Sequence, residues 1–152
     1  MELGAAVTGD VPQLVELLGI LFTQEHELSP DPAKQRRALD LILADPSRAR
    51  IYVARDKGKA IAMAALHFTT STAEGGKVAG LEDCVVHPDH RRKGVGEKLL
   101  GYVLEQARKE GLLRVMLLTD GDNTRAQALY RKLGFAPSSM LAMRLRFGDH
   151  NL

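Results

Sequence analysis

EDCVVHPDHRRKGVGEKLL, residues 82–100, is the stretch that decides the fold. It opens within a β-strand predicted over 81–86 and stops at the turn-favouring His87-Pro88-Asp89. A short basic, glycine-containing turn then leads directly into a helix predicted over 94–109. In that helix Val95, Leu99, Leu100, Val103 and Leu104 recur at helical spacing, and Gly111 stands where a C-terminal cap belongs. The run that follows, 112–118, is apolar apart from Arg114, as a strand covered on both faces is. Strand, helix and strand in this order make a right-handed crossover, the connection that a parallel strand pair requires.

Upstream of this unit, 2–8 reads as a short edge strand. Asp10 is a candidate N-cap for a helix carrying Leu14, Leu17, Leu18 and Leu21. After the polar stretch 23–31, a second helix is predicted over 32–44, with Pro32 in its first turn and Leu39, Ile42 and Leu43 on one face. Two β-like runs, 50–55 and 60–70, are joined by Asp56, Lys57 and Gly58, which have the chemistry of a hairpin turn. The small, polar segment 71–80 reads as a loop. Downstream, 123–133 is helical, Gly134 ends it, and 140–147 alternates as a final strand would. An antiparallel meander followed by a crossover gives a mixed, mostly antiparallel sheet flanked by helices. The fold class is α+β, in one domain spanning 1–152.

The 152 residues are 45% hydrophobic, enough to build a core. Lys plus Arg number 21 against 19 for Asp plus Glu, a net charge of +2 that argues for neither a nucleic-acid nor a membrane partner. The basic run Arg91, Arg92, Lys93 has no interleaved aromatic residues, which also speaks against nucleic acid. The most apolar window, 14–22, is interrupted by Glu16 and too short to span a bilayer. One cysteine, Cys84, cannot form an internal disulfide, and the first residues do not read as a secretion signal, so a cytoplasmic location is expected. The histidines are not spaced with other ligands as in a zinc site, so no metal is expected.

The chemistry concentrates in the turn. Gly94 and Gly96 permit backbone conformations and close approaches that a Cβ blocks, so successive N–H groups of 92–97 can converge on an anion at a helix N-terminus. Arg91, Arg92 and Lys93 add charge beside those donors, and a pyrophosphate fits the description. The Walker pattern is absent, and a dinucleotide fingerprint would need Gly or Ala where Leu99 stands.

Arg91-Arg92-Lys93-Gly94-Val95-Gly96 matches the pattern [RQ]-x-x-G-x-[GA] and is preceded by Val86-x-Pro88. Downstream, NTRAQALYRKLGF carries Asn123, Ala126, Tyr130, Lys132, Gly134 and Phe135 in the pattern N-x-x-A-x-x-x-Y-x-K-x-G-F. With both signatures in this order, the chain resembles the GCN5-related N-acetyltransferases over about 49–147. The resemblance implies an acyl-CoA N-acyltransferase fold whose sheet splays at its parallel strand pair, with acetyl-CoA as acetyl donor. It implies that Val85 and Val86 pair with the pantetheine arm, and that Arg91, Arg92, Lys93, Gly94, Val95, Gly96 and Glu97 hold the phosphates. A backbone N–H near Val85 would polarise the thioester carbonyl. Tyr130 falls at the general acid that protonates the departing thiolate and also touches the cofactor. Asn123 holds the cofactor or serves as a plain helix cap.

An amine nucleophile must lose a proton, and the nearest carboxylates are Glu82 and Asp83, which alternate to opposite faces of their strand. Leu81-Glu82-Asp83 resembles the corresponding segment of diamine and polyamine acetyltransferases, which gives the base role, through water, to Glu82. Cys84 alternates with the buried side of its strand and reads as a small core residue rather than a nucleophile, in keeping with a resembled family that usually transfers its acetyl group without an acyl-enzyme. His87 and His90 read as surface residues. His26, with Glu25 and Glu27, lies in the polar stretch that borders the acceptor site in the resembled family and reads either as solvated loop or as pocket lining; loops 23–31 and 71–80 are expected to frame that site. Glu25, Glu27, Asp31 and Glu74 there favour a cationic amine. The expected function is therefore direct acetyl transfer to a primary amine of a small molecule in a ternary complex without a metal. The alternatives are a protein or peptide acceptor, or a non-catalytic acyl-CoA-binding domain. Homodimers are common in the resembled family.

Overall fold

In the computed structural model, which describes residues 1–25 and 27–148, the chain forms a five-stranded sheet in the order β1-β2-β3-β4-β5. β1 (Glu2–Ala5), β2 (Ala49–Asp56), β3 (Lys59–Ser71) and β4 (Gly76–Val86) pair antiparallel, and β5 (Val115–Leu117) runs parallel to β4. α1 (Val11–Gln24) and α2 (Pro32–Ala44) lie between β1 and β2, α3 (Val95–Lys109) makes the crossover from β4 to β5, and α4 (Thr124–Lys132) follows. The mixed sheet and the α+β class agree with the sequence reading.

Alternation along the strands gives the sheet two dry faces. Tyr52, Ala54, Ala62, Ala64, Leu66, Ala79 and Leu81 pack with Val95, Leu99, Leu100 and Val103 of α3. Ile51, Val53, Met63, Ala65 and Val85 pack with Leu14, Leu17 and Leu18 of α1 and Leu39 of α2. Covering both faces explains why the central strands read as continuous apolar runs.

The β2–β3 turn follows from its residues. Asp56 pairs with Lys59, and the two residues between them, Lys57 and Gly58, have φ of 51° and 80°, the left-handed pair of a type I′ hairpin. Segment 71–80 departs from the expectation of a loop. Ser71 already pairs with Gly76, so the turn is short and 76–80 belongs to β4, where the Lys77 ammonium sits 4.1 Å from the Phe68 ring centroid. Small residues hid the strand, because Gly76, Ala79 and Gly80 carry no β signal of their own. The strand read over 112–118 is confined to 115–117. The strand expected over 140–147 is absent: those residues alternate but join no strand of the described sheet, and Met140, Leu141, Met143, Leu145 and Phe147 are exposed. Period-two patterning states which face wants cover; it does not supply the neighbour that provides it.

Asp10 does not cap α1 with its side chain as expected. Its carboxylate instead accepts the Val7 N–H at 2.8 Å and the Arg55 guanidinium at 2.5 and 3.1 Å, tying the start of α1 to β2. Burial alone would raise its pKa; the Arg55 hydrogen bond, the Val7 N–H and the Arg55 charge outweigh that and hold it below the ordinary carboxylate value. Asp10→Ala strands Arg55, whose side chain is 14% exposed, and is expected to cost about 3 kcal/mol in urea unfolding at pH 7. Because the folded pKa is depressed, the native contribution is present above the unfolded carboxyl pKa and is lost as pH falls through the folded one. The gap between the two proteins should therefore close in acid.

Candidate functional site

β4 outruns its parallel neighbour. Ala79, Gly80 and Leu81 pair with Val115, Met116 and Leu117, after which β4 continues to Val86 without β5 beside it. The opening is a cleft of about 620 Å³, walled by 81–86 on one side and 117–120 on the other. The N-terminus of α3, Arg91, Arg92, Asn123 and Tyr130 also line it.

A β-bulge shapes the β4 wall. Glu82 pairs with Ala65 and Val85 with Met63, so Ala64 alone stands opposite both Asp83 and Cys84. Asp83 takes the strain with φ of 56°, a left-handed conformation uncommon for a residue with a Cβ. The extra residue keeps Leu81 and Cys84 in the core under α3 and Val85 in the core under α1, and Asp83 lines the cleft together with Glu82, Cys84 and Val85.

The other wall is a helix start. Gly94, with φ of 78°, is the N-cap of α3 and supplies no side-chain cap, so the first-turn amides are left for another acceptor. A Cβ on Gly96 would lie 3.4 Å from Val86 Cγ2, so this residue also sets how closely helix and strand approach. Arg91 Nε donates to the Val86 carbonyl at 2.9 Å, which locks the turn to the end of β4, and Arg92 has φ of 62°. A helix N-terminus with two arginines beside it suits a pyrophosphate. Gly94, Val95, Gly96 and Glu97 line the cleft; Lys93 does not. Glu97 pairs with Lys132 of α4 at 2.6 Å. Asn123 is the N-cap of α4, its Oδ1 accepting the Ala126 N–H at 3.2 Å, and it also lines the cleft.

Tyr130, Cys84 and Asp83 meet where the walls converge. Burial raises the Tyr130 hydroxyl pKa, and the neighbouring Cys84, hydrogen-bonded to it, raises it further, so the phenol stays protonated. Its ring meets that of Phe135 edge-on at 5.9 Å. Burial pushes Cys84 up to about 12 and the Asp83 charge adds to this, against the hydrogen bond from Tyr130. A thiol so far from ionisation is a poor nucleophile. Burial also raises Asp83 to about 6; Glu82 and Glu25 push the same way and His67 opposes them. Glu82 is more open, its side chain 63% exposed and 3.6 Å from His67 Nε2. The sequence reading placed Glu82 and Asp83 on opposite faces of a regular strand and took Glu82 from the resemblance; the bulge, with which both residues line the cleft, is invisible in residue types.

Of the acidic residues expected to frame an acceptor pocket, Glu25 lines the cleft. Asp31 caps α2 by accepting the Lys34 N–H, Glu27 pairs with Arg144, and Glu74 lies 3.9 Å from Arg114 at the far end of β4. Segment 71–80 forms no part of the cleft. His26 lies outside the described residues. His87 bonds Glu16 at 3.2 Å and accepts the Asp89 N–H, whereas His90 lines the cleft. Among the described residues, no group of three His, Cys, Asp or Glu could hold a metal ion, and no helix is long and apolar enough to cross a membrane.

The profile of the Acetyltransferase (GNAT) family matches residues 12–135. Glucosamine 6-phosphate N-acetyltransferase of Trypanosoma brucei brucei is 28% identical, over 89% of this chain and 88% of its own length. A mycothiol acetyltransferase of Nocardiopsis dassonvillei is 34% identical over 74% of this chain and 34% of its own length. The chain thus spans about a third of such longer curated relatives. A crystal structure of a Trypanosoma brucei acetyltransferase superposes with a TM-score of 0.72 at 26% identity, covering 96% of this chain and 99% of that one.

Proposed function

Since the chain belongs to the Acetyltransferase (GNAT) family, we propose that it is an N-acetyltransferase passing an acetyl group from acetyl-CoA directly to a primary amine of a small, cationic molecule in a ternary complex. The observation that carries this reading is the cleft where β4 outruns β5, closed at one end by the uncapped start of α3 and at the other by Tyr130 and Asp83.

Acetyl-CoA supplies an activated acetyl thioester. The amides of Gly94 to Glu97, with Arg91 and Arg92, would hold its pyrophosphate, and Lys93 adds charge nearby. On the edge that β5 leaves uncovered, the backbone of β4 at Val85 and Val86 would face an amide-bearing arm, with the Val86 carbonyl already held by Arg91 Nε, and an N–H there would steady the oxyanion. Asn123 borders the same channel. Tyr130, protonated across the physiological range, would give its proton to the departing sulfur.

The amine's proton needs a base within the cleft. Asp83 has the stronger claim, because its desolvated carboxylate has an affinity for protons closer to neutrality than an open one. Glu82, the base expected from the sequence, we place at the mouth, where with Glu25 it would draw in a cationic acceptor or relay a proton through water. Glu25, Glu82 and Asp83, all lining the cleft, favour a cationic amine over an anionic one. For location we propose the cytoplasm, since the lone cysteine forms no internal disulfide that an oxidising compartment would sustain.

Thiol release from acetyl-CoA against a panel of polyamines, aminoglycosides, amino sugars, amino acids and peptide N-termini tests this. Acceptor-dependent release is expected with a cationic amine. Gly94→Trp, which forces a bulky residue to φ of 78° in the phosphate wall, is expected to abolish CoA binding in calorimetry. Binding without turnover on the whole panel would favour a sensing domain, and no binding of CoA by the native chain would refute the reading.

A further inference from the structure

Acetyl transfer to a cationic amine leaves one proton over. The acceptor enters as R–NH3+ and leaves as R–NH–CO–CH3, so an N–C bond forms, the thioester C–S bond breaks, and two N–H bonds are lost. One of these protons is balanced on the CoA sulfur, through Tyr130. The other is taken by Asp83 in the reading above and has to reach solvent from a cleft that then holds both substrates. A route out of the cleft is therefore part of the chemistry.

His67, on β3, stands where such a route leaves the site. Glu82 lies opposite Ala65 in the β3–β4 ladder and His67 is two residues further along β3, so both side chains project from the sheet face that α1 covers. The residue opposite His67 is Gly80, which has no side chain to fill the space beside the imidazole. His67 Nε2 comes 3.6 Å from Glu82 Oε2, just outside hydrogen-bond range, and among the described residues it is a buried side-chain nitrogen with no hydrogen-bond partner. The side chain as a whole is 37% exposed, so its exposure lies on atoms other than Nε2. Glu82 lines the cleft and His67 does not, so the carboxylate links the cleft to the imidazole.

An orphaned nitrogen beside a carboxylate has a chemical explanation. With its proton on Nδ1, the ring turns a lone pair on Nε2 towards Glu82, and two acceptors make no bond. One proton on Glu82 converts the gap into an O–H···N hydrogen bond. The contact is thus open while Glu82 is ionised and closes when a proton arrives. Imidazole is also the side chain that accepts and gives up protons near neutrality. We propose, resting on the transfer reading above, that His67 is a positioning residue that carries the surplus proton out of the site. Asp83 passes the proton to Glu82, the Glu82 O–H gives it to His67 Nε2, and the imidazolium surrenders one to water on its exposed side. Each carrier gains and loses one proton per turnover. The charges facing His67 across the β3–β4 ladder are Glu82 and Asp83, and the imidazole in turn acts on Asp83, opposing the rise of its pKa.

Nitrogen NMR of the His67 ring tests the link without turnover. Nε2 is expected to sense the protonation of Glu82 in the native chain and to lose that response in Glu82→Gln; identical ring spectra through the titration would overturn the link. His67→Gln keeps a hydrogen-bonding group for the carboxylate but carries no proton. With a cationic acceptor in dilute buffer it is expected to lower kcat by about 10-fold, less than the loss of a base that touches the amine, with CoA affinity and the circular dichroism spectrum unchanged. Free imidazole added to the buffer is expected to restore most of that rate and to leave the native rate alone, which a merely structural role of the ring would not produce. Glu82→Gln should lose kcat to the same degree, and the double variant no more than either single one. A His67→Gln variant at native kcat, or one that imidazole does not rescue, would overturn the relay and leave the transferase standing. A native chain that releases no thiol with any amine would instead refute the transfer reading, and the relay with it.

Discussion

Tyr130→Phe is expected to lower kcat for acetyl transfer by about 10²-fold or more, within the range attributed to a positioned proton donor. The ring is retained, so its edge contact with Phe135 at 5.9 Å and its place in the core against α3 should survive. What disappears is the hydroxyl, together with its hydrogen bond to Cys84, whose loss costs about 1 kcal/mol of stability at most. The effect should fall on kcat and leave CoA affinity within about twofold, because the proton is needed only as sulfur departs. Since burial raises the Tyr130 pKa above that of an ordinary phenol, the wild-type rate should show no alkaline decline from this group below the phenol range. Thiol-release kinetics beside calorimetry of CoA checks both halves. An unchanged kcat would remove Tyr130 from the chemistry.

The second large effect is expected at Asp83, and it has opposite signs for rate and for stability. Asp83→Asn should lower kcat/KM at pH 7 by about 10²-fold, and should erase the acidic limb, with its inflection near 6, that is expected in the pH–rate profile of the native protein. The rate rises with pH through that value because the base must be ionised to accept the amine's proton. Folding runs the other way. A carboxyl pKa raised from 3.8 to about 6 means that the charged form is disfavoured in the native state, so the contribution of Asp83 to stability is full below the unfolded pKa and declines as pH rises through the folded one. The asparagine variant should therefore melt at a higher temperature than the parent above pH 6 and at nearly the same temperature near pH 4. Glu82, Glu25 and His67 are the charged neighbours that set the value, so Glu82→Gln should move the inflection towards lower pH while keeping it. A profile without an inflection near 6 in the native protein would count against Asp83.

Most of the architecture was legible because it rests on local chemistry. Lys57-Gly58 dictates a tight hairpin, the Val95–Leu104 spacing dictates a helix, and Gly94 and Gly96 mark the turn before it. The signatures around Arg91 and Tyr130 located both ends of the cleft. What escaped was decided by partners distant in sequence. Residues 76–80 become strand because Phe68, Thr69 and Thr70 lie opposite them, and Asp10 is claimed by an arginine on β2 before it can cap α1. Residues 140–147 show the reverse failure, a strand pattern with no strand beside it among the described residues. Glu82 and Asp83 were indistinguishable by type. Their difference in exposure comes from one register shift against Ala64.

That shift behaves like a dislocation in a lattice. Remove Asp83 and the strand heals: Leu81, Glu82, Cys84 and Val85 fall into uninterrupted inside–outside order against Leu66, Ala65, Ala64 and Met63, with each core side chain keeping its present face. The shortened chain would be the more regular protein, and it would lack the Asp83 carboxylate in the cleft. On the proposed assignment of the base, activity would rest on a packing fault whose simplest repair is a single in-frame codon deletion, so losing the chemistry would require no loss of the fold.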